Sequence, residues 1–168
     1  MKGTDKFLIG IVAGIVLLVA AVLALALLRP AQQPSYQLDD APEGVAHNYL
    51  LALRLEEYDR AYSYLSPTLS GYPGNVEAFE RDVQGNRWNF GYPEGDRDVS
   101  LAVESANVTG DRARVVVRQT VFYRGGLFDS GQHSSTFTMT LRREQGAWKV
   151  TGSDGYWVHC WDWSEGCR

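Results

Sequence analysis

This sequence predicts an α+β fold, helices first and an antiparallel sheet after them, carried behind a membrane-spanning helix. Three observations predict it. Residues 7–28 read FLIGIVAGIVLLVAAVLALALL, without a charge, Pro, Asn or Gln. Between residues 40 and 83 apolar side chains recur at helical spacing, which is the mark of amphipathic helices. From Val99 onward they alternate instead, which is the mark of half-buried strands.

The apolar run comes first. At ~1.5 Å per residue it spans roughly 33 Å, enough for a bilayer core of ~30 Å. Lys2 and Lys6 precede it, and Arg29 and Pro30 close it. No further base follows until Arg54, while Asp39, Asp40 and Glu43 lie between. Positive charge retained on the cytoplasmic side places residues 1–6 inside the cell membrane and residues 30–168 outside. The competing reading is a cleaved signal peptide, because Ala24-Leu25-Ala26 fits an A-x-A cleavage pattern. Leu27 and Leu28 carry the run past such a cut, and an h-region usually spans about 7–15 residues, so the anchor is favoured. No Cys directly follows the run, which excludes a lipid-modified cysteine. Gly10 and Gly14 have the G-x-x-x-G spacing that lets two membrane helices approach closely.

Residues 29–41, rich in Pro and Gln, read as an extended linker. What remains is the size of one compact domain, at 42–158 with a tail at 159–168. The chain carries −4 and its first 29 residues carry +2, from Lys2, Lys6 and Arg29 against Asp5, which leaves −6 beyond the helix. That acidity speaks against nucleic acid and anionic headgroups as partners of the domain. The outer bases are nearly all Arg, with Lys149 the one Lys.

Asp40 opens the first domain helix, with Pro42 in the first turn and Glu43 at capping-box spacing. Val45, Ala46, Tyr49, Leu50 and Leu53 form its buried stripe. A second helix over 59–65 presents Tyr58, Ala61, Tyr62 and Leu65, and Ser66-Pro67 ends it. Asn75 caps a third, over 76–83, that buries Val76, Phe79 and Val83. Then Val99, Leu101 and Val103 mark a strand, and residues 107–111 a hairpin turn. A long strand over 113–123 has Val115, Val117 and Val121 on one face, and Arg114, Arg118 and Thr120 on the other. Residues 124–132 read as a Gly-rich connection. A strand over 135–142 carries Phe137, Met139 and Leu141 inward, Glu144-Gln145-Gly146 turn the chain, and Trp148 and Val150 begin the last strand. Such an order argues one curved sheet with helices on its concave side.

The stretches AHNYLLALRLEEYDRAYSYLSP, VEAFERDV, VTGDRARVVV and GAWKVTG, in this order, resemble the NTF2-like (cystatin-like, SnoaL-like, cone-shaped) superfamily, especially its small bacterial membrane-tethered members. The likeness spans roughly residues 42–152. It implies a cone whose helices cover a curved sheet, and it does not choose among isomerases, dehydratases, transport factors and non-enzymatic modules. Members resembling ketosteroid isomerase need an Asp base and an acid-plus-Tyr oxyanion hole inside the cone. Here the inward strand positions carry no carboxylate, and Gln119 is the one polar residue in phase with them. No catalytic residue is therefore expected, nor a cofactor. His47, His133 and His159 are scattered, each without a nucleophile and carboxylate at triad spacing. His47 reads as a boundary residue and His133 as solvated. Asn107-Val108-Thr109 matches a glycosylation sequon and is read as a turn.

Cys160 and Cys167 are the two cysteines, and outside the cytoplasm they can form a disulfide around a short loop; two free thiols are the alternative. Beyond His159 no third soft ligand clusters with them, so no metal site is expected. The tail, Tyr156-Trp157-Val158-His159-Cys160-Trp161-Asp162-Trp163, is the least ordinary stretch. Trp157, Trp161 and Trp163, with Trp88 and Tyr92 as a second wall, form a candidate interaction patch for a protein partner or a sugar. The alternative is that these rings cap the open end of the cone as core. The expected partners are the bilayer, through residues 7–28, and a protein in the membrane or beyond it. The expected function is that of a non-enzymatic interaction or accessory module attached to a larger membrane complex; the alternative is small-molecule binding in the cone cavity, and behind it a lyase- or isomerase-like enzyme.

Overall fold

The computed structural model describes residues 4–28, 35–90, 97–124 and 130–167. Two compact units result, Met1–Pro34 and Ser35–Arg168. In the first, α1 (Thr4–Leu28) is one continuous helix. Its window Leu8–Leu25 has a mean hydropathy of 3.1, so by length and composition it is able to cross a membrane.

The second unit begins with α2 (Pro42–Arg54), α3 (Tyr58–Tyr64) and α4 (Val76–Gly85). A 3-10 turn at Arg87–Phe90 follows. The sheet has four strands, β1 (Arg97–Thr109), β2 (Arg112–Arg124), β3 (Ser130–Glu144) and β4 (Ala147–Ser153). They pair in sequence order, each antiparallel to the next. A last 3-10 turn spans His159–Asp162.

Three local expectations change. The α2 N-cap is Ala41, with no side-chain cap bond, so Asp40 does not cap it. Pro42 enters at the first turn, where its missing N–H has no partner to lose. The linker read over 29–41 ends earlier, because Ser35 already belongs to the compact unit. Asn48, fully buried, receives the Gln37 amide at 2.8 Å and returns its own amide to the Gln37 carbonyl at 2.8 Å and to Asp39 at 2.6 Å. Finally, β3 starts at Ser130, so His133 stands in a strand opposite Val121 and not in a connection. Strand pairing with β2 extracts regular structure from a polar Gly/Ser stretch that has no alternation of its own.

Several other signals hold, although Val76 of α4 is half-buried and not buried. Asn75 Oδ1 accepts the Ala78 N–H at 2.8 Å, capping α4. Gln145 and Gly146, at φ 51° and 89°, make the two-residue turn between β3 and β4. The turn between β1 and β2 is tighter than read, with Gly110 at φ 58° and strand pairing up to Thr109↔Arg112. Register breaks at Val103/Ser105 and Thr140/Leu141 are bulges, which bend strands and raise their twist. The first shifts the inward phase from Val103 to Ala106, both half-buried.

The core lies between the helices and one sheet face. Val45, Tyr49 and Leu53 of α2 meet Val115 and Val117 of β2, Met139 and Leu141 of β3, and Val150 of β4 in one cluster. Phe79 and Val83 of α4 close it. Ser66 donates its amide to the Val150 carbonyl at 2.9 Å, which ties the end of α3 to β4.

Candidate functional site

The tail decides what the covered sheet face can do. After β4 the chain turns at Tyr156, a non-glycine residue at φ 58°, and folds back over the core. Tyr49 donates its hydroxyl to the Tyr156 carbonyl at 2.9 Å, which fixes that turn to α2. Burial pushes the Tyr156 phenol up to about 12.

From there two indoles enter the protein. Trp161 has no exposed surface and Trp157 only 3%. The Trp161 ring stacks on Phe79 at 5.3 Å between centroids, and Trp157 meets it edge-on at 5.0 Å. Phe90 adds a further edge contact at 6.4 Å. A buried indole must place its N–H, and both do. Trp161 Nε1 donates to Asp82 Oδ2 at 2.9 Å, and Trp157 Nε1 donates to Asp162 Oδ2 at 3.1 Å.

The candidate interaction patch is therefore corrected. Trp157 and Trp161 are core, satisfied by carboxylates. Trp88, at 78% exposure, and Trp163, at 61%, do face solvent. Tyr92 lies outside the described residues. The cysteines stand at disulfide distance, Cys160 to Cys167, with Cα atoms 5.0 Å apart. Their loop packs on Gly71, whose amide donates to the Trp161 carbonyl at 2.8 Å. A Cβ on Gly71 would lie 2.2 Å from the Cys160 carbonyl oxygen, so only glycine allows this approach.

Sequence reasoning looked for a carboxylate on the strands and missed the one on α4. Asp82 follows Phe79 by three residues and precedes Val83, so it sits at the border of the buried helix face; that spacing was the available signal. Burial raises its pKa, against the Trp161 N–H and the Arg81 charge, which lower it. Asp82 also lines a groove of about 460 Å³ together with Arg81, Tyr72 and Glu165. Asp82 Oδ2 is already engaged by the Trp161 indole. Among the described residues, no three His, Cys, Asp or Glu side chains gather to hold a metal ion. His47 Nε2 lies 3.1 Å from the Ser35 carbonyl, and His133 and His159 are exposed.

No family model matches this chain, and no curated protein matches it. Solved structures do. An NTF2-like protein with a cystatin-like fold from Novosphingobium aromaticivorans has 17% identity and a TM-score of 0.45, over 80% of this chain and 84% of its own. A SEC-C motif containing protein from Rhodopseudomonas palustris has 15% identity and a TM-score of 0.48, over 71% and 81%. The association domain of C. elegans CaMKII has 15% identity and a TM-score of 0.41, over 65% and 90%. NTF2-like proteins are thus among the structures this chain is similar to, and at these values the likeness lends it no function.

Proposed function

We propose that this chain is a membrane-tethered, extracytoplasmic interaction module that works without catalysis. One observation carries the reading: Trp161 is fully buried against Phe79 and belongs to the same core cluster as Val115, Val117 and Met139, so the tail fills interior space. Trp161 and Phe79 are both fully buried there, between helix and tail. The buried strand positions of the same cluster, Val115, Val117 and Met139, supply no acid or base. Lys2 and Lys6 before the apolar run at 7–28, against the acidic segment after it, support an inside N-terminus in the cell membrane. Trp88 and Trp163 are the exposed aromatics with which such a module would grip a protein partner.

The test is purification of the full chain from gently solubilised membranes, beside a Trp88→Ala/Trp163→Ala variant. The expected result is a co-purifying membrane protein that the variant loses at unchanged thermal stability. A mature chain found in the soluble fraction, starting near Leu27, would remove the tether. An undiminished partner on the variant would remove the aromatic contact.

A lyase- or isomerase-like reading has one observation in its favour, the raised pKa of Asp82 beside a groove. Its bond to Trp161 assigns that carboxylate first to holding the tail.

A further inference from the structure

The sheet face turned away from the helices holds a feature that the interaction reading does not use. Alternation that sends Ala113, Val115 and Val117 into the core sends Arg112 and Arg114 outward, and both are exposed. They line a groove of about 670 Å³ with Asn107, Thr109, Thr140 and Arg142. Cross-strand register places Arg112 between Thr109 and Arg142, and Arg114 between Asn107 and Thr140. None of these four neighbours is an acid.

Other arginines on the same strands are treated differently. Arg118 pairs with Glu104, which the β1 bulge brings alongside. Arg142 places Nε 2.9 Å from Glu144 Oε1, and Ser66 and Thr68 donate to the same carboxylate oxygen. Among the described residues, the side chains of Arg112 and Arg114 make no hydrogen bond or ion pair. Like charges directly opposite in a sheet are destabilising, yet Arg112 faces Arg142. This cationic spot belongs to a chain of net −4, so it is a local reversal of sign and not part of a basic coat.

Two residues along a strand put these Cα atoms ~6.7 Å apart. Both guanidiniums can then close on one group, each offering paired N–H donors of the geometry that matches an oxyanion. Thr109 adds a hydroxyl and Asn107 an amide, while the Thr140 hydroxyl is already donated to the Gly152 carbonyl at 3.2 Å. We infer that the groove binds a small molecule through an oxyanion, carboxylate or phosphate, seated between Arg112 and Arg114. Arg114 also lines a second groove of about 520 Å³, together with Asp154, Asp162 and His159. Those acids repel a second anionic group, so the remainder of the ligand is neutral or cationic.

The full chain in uncharged detergent, titrated calorimetrically with inorganic phosphate and separately with acetate, tests this. Chloride at equal ionic strength is the control. Saturable binding of either probe is expected, about tenfold weaker in Arg112→Gln and abolished in Arg112→Gln/Arg114→Gln. Arg118→Gln, on the same face but paired, leaves it unchanged. Binding of phosphate alone assigns a phosphoryl ligand, and of acetate alone a carboxylate; both support the site. Absence of saturable binding at millimolar probe overturns it, as does equal binding by the double variant with an unchanged melt.

Discussion

The indole of Trp161 and the carboxylate of Asp82, 79 residues apart in the chain, meet at 2.9 Å and join the C-terminal tail to α4. The bond explains two things at once: how a large polar-tipped ring lies fully buried, and why a carboxylate sits at the edge of the core. Asp82→Ala leaves the indole N–H without its partner and is expected to destabilise by about 1–3 kcal/mol in urea unfolding. Trp161→Ala, which also opens a cavity against Phe79, is expected to lose about 3–5 kcal/mol.

Asp82→Asn separates charge from hydrogen bonding. Burial raises the Asp82 pKa in the folded chain, so the folded state holds that proton to higher pH than the unfolded one. The contribution is most favourable below the ordinary aspartate range and declines as pH rises through the raised value. Asn keeps the acceptor and removes the charge. Thermal melts are expected to show Asp82→Asn at or above the parent at neutral pH, with the gap closing on acidification.

Glu144 has the opposite sign. Burial would raise its pKa, but hydrogen bonds from Arg142 and Ser66 outweigh that and hold it below the usual carboxylate range. Its stabilisation is full above the unfolded glutamate pKa and is lost as pH falls through the lowered one. Glu144→Gln should therefore melt earlier than the parent at neutral pH and converge with it in acid. The same change frees Arg142, which should strengthen oxyanion binding in the neighbouring groove, measured by the titration above.

Gly71 tests the tail from the other side. Gly71→Ala forces a Cβ against the Cys160 and Trp163 carbonyls. The expected outcome is a tail displaced from the domain, read as faster proteolysis after Val158 and greater quenching of Trp fluorescence. Cys160→Ser/Cys167→Ser, which leaves the backbone approach intact, should cost about 2–3 kcal/mol, the loop-closure value for a ring this small. Glycine at 71 is thus predicted to matter more for tail position than the cysteines do.

Asn48 holds the entry to the domain through three hydrogen bonds to Gln37 and Asp39. Asn48→Ala is expected to release residues 35–39, measurable as new cleavage there, and to destabilise by about 1–3 kcal/mol through the unpaired backbone groups. Gly44 makes the same contact possible, since a Cβ on it would lie 2.0 Å from the Leu38 carbonyl oxygen.

Much of this fold was legible because its signals are local. The apolar run of α1, the helical spacing of Val45, Tyr49 and Leu53, and the alternation through Val115, Val117, Phe137, Met139 and Leu141 each need only near neighbours in the chain. The α4 cap at Asn75 is local too. The start of β3 was not, because Ser130 to Ser134 carry no pattern and are drawn into the sheet by β2. Nor was the fate of the tail. Trp157, Trp161 and Trp163 look alike in sequence, and an irregular segment has no period to say which ring turns inward.

By itself the sequence determined the order of elements, the membrane-compatible helix and the strand faces, because hydrophobic periodicity commits each side chain to a side of its own element. Only the tertiary structure decided that Trp161 is core while Trp163 is surface. It also decided that Asp82 is spent on an indole, and that among the described residues Arg112 and Arg114 form no ion pair while Arg118 forms one. Those outcomes depend on which residues from distant segments arrive opposite them, and register, bulges and tail docking set that in three dimensions.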